Sequence, residues 1–263
     1  MSKHVSILLW NVWMLPWKLS DNQTVARATH IAPILQDYDI VILNEAFTHK
    51  DLLTSSTTSI MSFHTLGRRA WYSIFDSGVV IISKYPCVHC VSQHFSAVTH
   101  WDMMASKGII LCRLDIAGTE VGVYGTHMQA GDRPVDQDAR RAQALQVAEF
   151  INRHSEGRKV VLGGDLNMGP TRDPSFASWC VHYSNEADAR SRVTAYCALR
   201  DEAKLTDVFS TDERTRAKSE EDIMRFLVRD VEAELTYLDV PVIEGVGKRG
   251  LSDSDALVCK LRL

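Results

Sequence analysis

The sequence contains no apolar run of the length that a membrane-spanning helix requires. Such a helix needs roughly 18 to 20 consecutive apolar residues, and no stretch of the 263 residues approaches that length. The segment Met1–Asn11 has neither the basic start nor the apolar core of a secretory signal. We therefore expect a soluble chain, either cytoplasmic or secreted after removal of a leader.

The chain also lacks an excess of positive charge. It carries 29 Lys and Arg against 33 Asp and Glu, a formal net charge of −4, so no global positive field attracts nucleic acid. Repeats, low-complexity segments and linkers are absent too. With 45% hydrophobic residues, residues 1–263 are predicted to form one domain that acts as a monomer and does not bind nucleic acid.

Cysteines are few, and their spacing is incomplete for a metal site. Cys87 and Cys90 have the CxxC form of a zinc or redox half-site, but no second half follows at a suitable spacing. Most of the six thiols are expected to be buried. Cys180 and Cys197 flank a polar segment and could form a disulfide in an oxidising compartment, which cysteine number alone does not decide.

Several short runs are apolar at successive positions, as in strands that are covered on both faces. These predicted strands are 5–12, 39–46, 78–83, 108–116, 120–127 and 159–166. A helical stripe joins Val25, Ala28, Ile31, Ala32 and Leu35, and a second within 136–153 joins Ala139, Ala142, Val147, Ala148 and Ile151. The pattern predicts a layered α/β sandwich with helices packed on central sheets.

Two C-terminal regions have weaker patterns. The run 255–263 alternates between apolar and polar residues and is predicted to be a closing strand. The polar region Asn185–Glu221 is predicted to form long surface loops, with a strand near Lys204–Phe209.

Polar side chains recur at strand ends, where ligands bind in layered sheets. They are Asn11, Glu45, His127, Asp165 and Asn167, with Asp253 before the last strand. Each alone has a structural explanation, such as a strand-end hydrogen bond or a helix cap. Together, their carboxylate and amide oxygens are the hard ligands that Mg²⁺ prefers, and an imidazole beside them suits phosphodiester hydrolysis.

The same residues lie in motifs that resemble those of the endonuclease/exonuclease/phosphatase superfamily, and more closely its neutral sphingomyelinase branch. The motifs are "LLWNVWMLP" (8–16), "LNEAF" (43–47), "SGVVIISKYP" (77–86), "YGTHMQA" (124–130), "GGDLNM" (163–168) and "LSDSDALV" (251–258). The resemblance implies a DNase I-like four-layered α/β sandwich. It also implies cleavage of sphingomyelin, or a related choline lipid at a membrane surface, to ceramide and phosphocholine, with Mg²⁺ or with Mn²⁺ or Co²⁺ as substitutes.

The resemblance also assigns roles to individual positions. Glu45 matches the metal-binding glutamate, with Asn11 beside it, and His127 matches the histidine at the phosphate or the leaving oxygen. Asp165 and Asn167 match the pair that positions water and phosphate. All of these positions carry the family's residue types.

The final motif departs from the family pattern. Asp253 matches the aspartate of an "SDH" sequence, but Ser254 stands where the general-base histidine is expected, and a hydroxyl is a poor base near neutral pH. The chain is therefore expected to be inactive or severely impaired, either as a natural homologue or as a form altered to retain substrate. The alternatives are a catalytically dead lipid-binding homologue, and a nuclease or phosphoinositide phosphatase of the same superfamily.

The segment "HWDMMASKG" (100–108) is the best candidate for contact with a lipid surface. Trp101, Met103 and Met104 follow no clean helix or strand pattern, and Lys107 is placed to meet a phosphate. These apolar side chains either contact the membrane or fill a loop against the core.

Overall fold

The computed structural model of the chain describes residues 3–16, 19, 23–55, 62–67, 73–170, 186–246 and 248–263. Within these ranges, thirteen strands and five α-helices follow one another along the chain, with a short 3₁₀ helix at His100–Met104. No helix in the described ranges is both long and apolar enough to cross a bilayer.

Six strands form the first sheet. They are β1 (His4–Asn11), β2 (Ile40–Asn44), β3 (Ser62–Thr65), β4 (Val80–Ser83), β11 (Glu232–Leu238) and β13 (Ala256–Arg262). Their spatial order is β11-β13-β1-β2-β4-β3. The central strands β1 and β2 are parallel, and Asn11 pairs with Asn44 where both strands end.

Six further strands form the second sheet. They are β5 (Cys87–His94), β6 (Gly108–Ile116), β7 (Thr119–His127), β8 (Lys159–Asp165), β9 (Thr206–Asp207) and β10 (Met224–Arg229), in the order β5-β6-β7-β8-β10-β9. Strands β7 and β8 are parallel, and His127 pairs with Asp165 at their ends. In each sheet, two adjacent parallel strands therefore end side by side in polar residues.

The five α-helices in the described ranges are α1 (Thr24–Leu35), α2 (Lys50–Ser55), α3 (Pro134–His154), α4 (Glu186–Glu202) and α5 (Glu213–Glu221). The outer face of the first sheet is covered by α1 and α2, and that of the second sheet by α3 and α4. One apolar cluster lies between the sheets, a second between the second sheet and α3 and α4, and a third between the first sheet and α1. These clusters define four layers, as the sequence predicts.

The apolar strands and the two amphipathic helices are confirmed, with small differences. The six predicted strands correspond to β1, β2, β4, β6, β7 and β8, and the closing strand corresponds to β13. Within the helical stripes, Ala28, Ile31 and Ile151 are buried, whereas Val25 and Ala142 are exposed. The helical periodicity therefore identifies the buried face of each helix, but it also includes two residues that are exposed.

The prediction of long loops over Asn185–Glu221 is wrong. Helix α4 occupies Glu186–Glu202 and α5 occupies Glu213–Glu221, while the strand near Lys204–Phe209 shortens to Thr206–Asp207. Helix α4 buries Asp188 and Arg192 on the same face as its apolar side chains. Because charged residues lie on that inward face, the apolar stripe is too sparse to signal a helix.

The expectation that most thiols are buried is also wrong. Of the five cysteines in the described ranges, Cys112 and Cys259 are buried, Cys90 is exposed, and Cys87 and Cys197 are intermediate. Cys87 and Cys90 lie on the edge strand β5, which the sequence pattern missed because that strand is largely polar. Cys180, and with it the proposed disulfide to Cys197, lies outside the described residues.

Candidate active site

Two carboxylates, one from each sheet, meet where the polar strand ends face each other. Asn11 holds them together: its side-chain amide nitrogen donates to Glu45 Oε1 over 3.0 Å and to Asp165 Oδ2 over 3.3 Å. The Asn11 side-chain oxygen accepts the backbone N–H of Trp13 at 3.1 Å. Three of the predicted site residues are therefore in direct contact, with Asn11 positioning the two acids.

Asn44, which was not among the predicted site residues, joins the two sheets directly below these acids. Its side-chain oxygen accepts the backbone N–H of Asp165 at 2.8 Å, and its side-chain nitrogen donates to the backbone oxygen of Thr126 at 2.9 Å. The side chain is fully buried. The feature of the sequence that could have identified Asn44 is its position: it is an amide residue at the end of an otherwise apolar strand, immediately before Glu45.

The two glycines before Asp165 permit close approach of the backbone on both sides of β8. A Cβ on Gly163 would lie 2.7 Å from the Ile42 side chain of the other sheet, and a Cβ on Gly164 would lie 2.1 Å from the backbone oxygen of Thr126. Larger residues would therefore push β8 away from its neighbours. The "GGD" sequence is explained by packing as well as by chemistry.

A tight turn after β8 places Asn167 against Asp165. The backbone N–H of Asn167 donates to Asp165 Oδ1 at 3.0 Å, and its side-chain nitrogen donates to the backbone oxygen of Met128 at 3.1 Å. Both Asn167 (φ 51°) and Glu45 (φ 54°) adopt left-handed backbone conformations. Such conformations cost free energy in residues other than glycine and cluster at functional sites.

Two side-chain oxygen atoms of the site, one carboxylate and one amide, have no hydrogen-bond partner among the described residues. Glu45 Oε2 and Asn167 Oδ1 are buried and accept no hydrogen bond. Burial raises the pKa of Glu45 to about 7; the Asn11 hydrogen bond and Lys107 act to lower it, and the charges of Asp165 and Asp253 act to raise it. A cation placed here would relieve both the desolvation and the repulsion.

His127 lies on the second-sheet side of the cleft, next to Lys107. The Lys107 Nζ is 3.2 Å from His127 Nε2, 2.9 Å from Asp102 Oδ2 and 2.9 Å from the backbone oxygen of Met128. Because an ammonium group only donates, the imidazole nitrogen accepts in this contact. The structure thus places Lys107 beside His127, and it places Asp102, which was not among the predicted site residues, beside Lys107.

An apolar pocket of about 570 Å³ opens beside Glu45, Lys107 and His127. Its wall includes Phe47 and Phe75, whose rings meet edge to face with centroids 6.0 Å apart. The remaining lining residues are Leu15, Pro16, Leu19, Trp101, Asp102, Met104, Ala105 and Ala130. The site therefore combines a charged floor with a hydrophobic entrance.

The apolar residues predicted to face a lipid surface lie at this entrance. Trp101 is 79% exposed and Met103 is 53% exposed, both on the short 3₁₀ helix. Trp101 and Met104 line the pocket, whereas Met103 does not. Of the two predicted alternatives, exposure of Trp101 and Met103 favours surface contact over filling a loop against the core.

The final motif lies beside the end of β1. Ser252 donates to the backbone oxygen of Asn11 at 2.5 Å, and Trp10 Nε1 donates to the backbone oxygen of Ser254 at 3.2 Å. The Ser254 hydroxyl donates to Asp253 Oδ1 at 3.2 Å. Asp253 is also close enough for its charge to act on Glu45, so the motif belongs to the same site.

The chain and its fold have counterparts among known proteins. Residues 8–201 match the Endonuclease/Exonuclease/phosphatase family. The chain belongs to this family. Among its relatives, a neutral sphingomyelinase homologue from Drosophila melanogaster is 28% identical over 282 residues, covering 98% of this chain and 61% of that protein.

Solved structures of a sphingomyelinase C and of a beta toxin share the fold of this chain. Sphingomyelinase C from Streptomyces griseocarneus aligns with a TM-score of 0.73 at 21% identity, covering 98% of this chain and 99% of that one. A beta toxin from Staphylococcus aureus, crystallised with bound magnesium ions, aligns with a TM-score of 0.71 at 18% identity over 98% and 99% of the two chains. The present chain spans about three fifths of the length of the Drosophila relative.

Proposed function

We propose that this chain has the site of a Mg²⁺-dependent phosphodiesterase that hydrolyses sphingomyelin, or a related choline phospholipid, to ceramide and phosphocholine. The observation that carries the proposal is the convergence of Glu45 and the Lys107–His127 pair at the base of an apolar, aromatic pocket. Asp165 is joined to Glu45 through the Asn11 amide group. A charged floor suits a phosphodiester, and an apolar entrance suits its lipid chains. Similarity to proteins named as sphingomyelinases supports the same substrate class.

The oxygen ligands fit a hard divalent cation. Glu45 Oε2 and Asn167 Oδ1 are buried without hydrogen-bond partners, and the two carboxylates lie within reach of one Asn11 amide group. Glu45 would hold the metal, and the Asn11 oxygen is available as a further ligand because it uses one lone pair on Trp13. When bound, Mg²⁺ would offset phosphoryl charge and lower the pKa of a water molecule.

The side chains around the proposed metal site would contact the phosphate, orient the attacking water and bind the headgroup. Lys107 supplies a fixed positive charge for a phosphoryl oxygen, and His127 next to it lies where a phosphate or leaving alkoxide would sit. Asp165 and Asn167 hold the turn that would orient the attacking water. For the headgroup, the rings of Phe47 and Phe75 in the pocket wall are available to the choline ammonium through cation–π attraction.

Ser254 limits this chemistry because no imidazole stands at its position. Its hydroxyl already donates to Asp253, and a hydroxyl does not accept a proton from water near neutral pH. Loss of a positioned base costs about 10² to 10⁴ in rate. We therefore propose that the chain as given binds substrate and metal but turns over slowly.

The test is release of phosphocholine from sphingomyelin by the chain and by its Ser254→His variant, each with Mg²⁺ and with chelator. The variant is expected to gain about 10² to 10⁴ in Mg²⁺-dependent rate, whereas Ser254→Ala should stay low. Glu45→Gln in the Ser254→His background should remove the gain. A Ser254→His protein that binds Mg²⁺ yet cleaves neither sphingomyelin nor choline lysolipids would refute the assignment.

Ser254 itself favours a second candidate, a catalytically dead receptor for choline lipids. In that case vesicle binding persists in Ser254→His without any gain in turnover. A nuclease or phosphoinositide phosphatase is the remaining alternative within the family, and it predicts activity of Ser254→His on DNA or on phosphoinositides in place of sphingomyelin.

A further inference from the structure

Three soft metal ligands meet on the side of the sandwich where the edge strands β3 and β5 lie. His64 comes from β3, Cys87 from β5 and Cys112 from β6, and one donor atom of each lies within 4.8 Å of the others. Cys112 is five residues along β6 from Lys107, which corresponds to roughly 16 Å at about 3.3 Å per residue. The cluster is therefore separate from the candidate active site.

Sheet topology explains why residues so distant in sequence meet here. Strand β3 is an edge of the first sheet and β5 is an edge of the second. His64 pairs with Ile81, whose side chain lies in the core between the sheets, and Cys112 belongs to the same core. Since side chains of directly paired residues share a face, His64 and Cys112 approach each other across the gap between the sheets.

A β-bulge brings both cysteines of the "CVHC" sequence to one face. In a regular strand, residues three positions apart point to opposite faces. Here the register shifts between Cys87 and His89, so that Cys87 pairs with Leu114 and Cys90 pairs with Cys112. Their partners are two residues apart on β6 and share a face, which places both sulfurs on the same side.

One of the three donor atoms has no hydrogen-bond partner among the described residues, whereas the Cys87 thiol donates to the backbone oxygen of His89 at 3.3 Å. Nε2 of His64 is buried and has no hydrogen-bond partner. Cys112 is fully buried, and its sulfur is within hydrogen-bonding reach of the Cys87 and Cys90 thiols. Buried polar atoms usually have partners, and a metal ion would provide one for both the imidazole and the thiolates.

We propose that His64, Cys87 and Cys112, with Cys90 as the solvent-side fourth ligand, form a Zn²⁺ site that joins the edges of the two sheets. Thiolate and imidazole ligands select zinc over magnesium, and structural zinc is held tetrahedrally at about 2.3 Å from sulfur and about 2.0 Å from nitrogen. The second half that the "CVHC" sequence lacks at short range is supplied by β3 and β6. The site is structural and independent of phosphodiesterase activity.

The test is titration of the reduced, chelator-treated full chain with Co²⁺ and then Zn²⁺, with excess Mg²⁺ present to occupy the carboxylates. One equivalent of Co²⁺ should give a thiolate-to-cobalt charge-transfer band and the intense visible bands of a tetrahedral site, and Zn²⁺ should abolish both. Zn²⁺ should also raise the melting temperature, by mass action on the folded state. Both effects should persist in Glu45→Gln, which separates this site from the catalytic one.

Variants decide which side chains bind the metal. Cys112→Ser, His64→Asn and the solvent-side Cys90→Ser should each weaken Zn²⁺ binding by at least about tenfold. Cys259→Ser is the matched control, because it removes a buried thiol from the same core, and it should bind Zn²⁺ normally. Absence of the charge-transfer band in the fully reduced protein, or Zn²⁺ binding by Cys90→Ser and His64→Asn as tight as that of the parent chain, would overturn the proposal.

Discussion

The ammonium group of Lys107 lies 3.2 Å from Nε2 of His127, and both side chains are almost fully buried. Asp102, which accepts from the same ammonium at 2.9 Å, also accepts the backbone N–H of Ala130 at 2.9 Å. The lysine is thus held by a carboxylate on one side and presented to the imidazole on the other. A cation fixed in this way needs no reorganisation to meet a phosphoryl oxygen.

We predict that Lys107→Met in the Ser254→His background lowers kcat for sphingomyelin by about 10² or more, because a preorganised charge at the phosphate is lost. Phosphocholine release measures the rate, and inhibition by inorganic phosphate should weaken in parallel. Lys84→Met is the control, since Lys84 is an exposed lysine that donates to the Gln36 backbone oxygen. Similar rates for the two variants would contradict the role given to Lys107.

Glu45 should make the stability of the metal-free protein depend on pH. Its folded pKa is raised from 4.5 to about 7, so the folded protein holds a proton that the unfolded chain has already released between these values. The resulting stabilisation is complete below about pH 4.5 and is lost as the pH rises to about 7, amounting to at most about 3 kcal/mol. Denaturant unfolding of chelated protein from pH 4.5 to pH 8 measures it.

The matched comparison for this effect is Glu45→Gln against Glu149→Gln. Glu149 is an exposed carboxylate on α3, so its removal should leave the pH dependence intact, whereas Glu45→Gln should remove the part of it that extends to about pH 7. The part due to Asp222, whose pKa burial raises to about 6, should remain. Mg²⁺ binding, followed by calorimetry, should weaken about tenfold per pH unit below pH 7, because the metal requires the ionised carboxylate. The same pH dependence in both variants would contradict the assignment of this titration to Glu45.

Much of the site could be predicted because of where strands end. The strands β1, β2, β7 and β8 are apolar on both faces, and parallel pairing places Asn11 beside Asn44 and His127 beside Asp165. A polar residue at the end of such a strand therefore locates the site even before its contacts are known. The prediction of a single domain over residues 1–263 follows from composition and stays a prediction.

The features that sequence patterns missed depend on charges buried inside the protein. Arg27 and Arg192 are fully buried, yet in sequence they look like surface residues. Arg27 donates to the backbone oxygens of Val12 and Leu251, and Arg192 donates to those of Asn167 and Gly131. These distant partners are not revealed by any local periodicity. The zinc ligands were missed for a related reason, since His64 and Cys112 become neighbours of Cys87 only when the two sheets pack.

Trp101 should matter for lipid at an interface and little for a dispersed substrate. We predict that Trp101→Ala raises the apparent KM on sphingomyelin vesicles by about fivefold to tenfold, because an exposed apolar side chain is removed from the membrane contact. With a short-chain, water-soluble sphingomyelin, kcat should change by less than about twofold. The apparent KM and kcat are both measured by phosphocholine release in the Ser254→His background.

Leu145→Ala provides the control for Trp101, because Leu145 is a large exposed apolar residue on the outer face of α3. It should leave both substrates unaffected. An equal loss on vesicles and on soluble substrate in Trp101→Ala would place that residue in the binding of the headgroup, and would contradict a role in membrane contact.

Arg27 should contribute more to stability than any surface arginine. From α1 it donates to the backbone oxygens of Val12 at 3.1 Å, Leu251 at 3.2 Å and Trp13 at 2.7 Å, and so joins the loop after β1 to the final motif. Arg27→Met leaves buried carbonyl groups without donors, at a cost of about 3 kcal/mol in the free energy of unfolding. Denaturant melts measure the loss, with the exposed Arg141→Met on α3 expected to stay within about 0.5 kcal/mol of the parent chain.

Since Ser252 also bonds the Asn11 backbone, Arg27→Met should weaken Mg²⁺ binding as well. A destabilised variant that still binds Mg²⁺ with the parent affinity would show that Arg27 supports the fold without positioning the metal ligands.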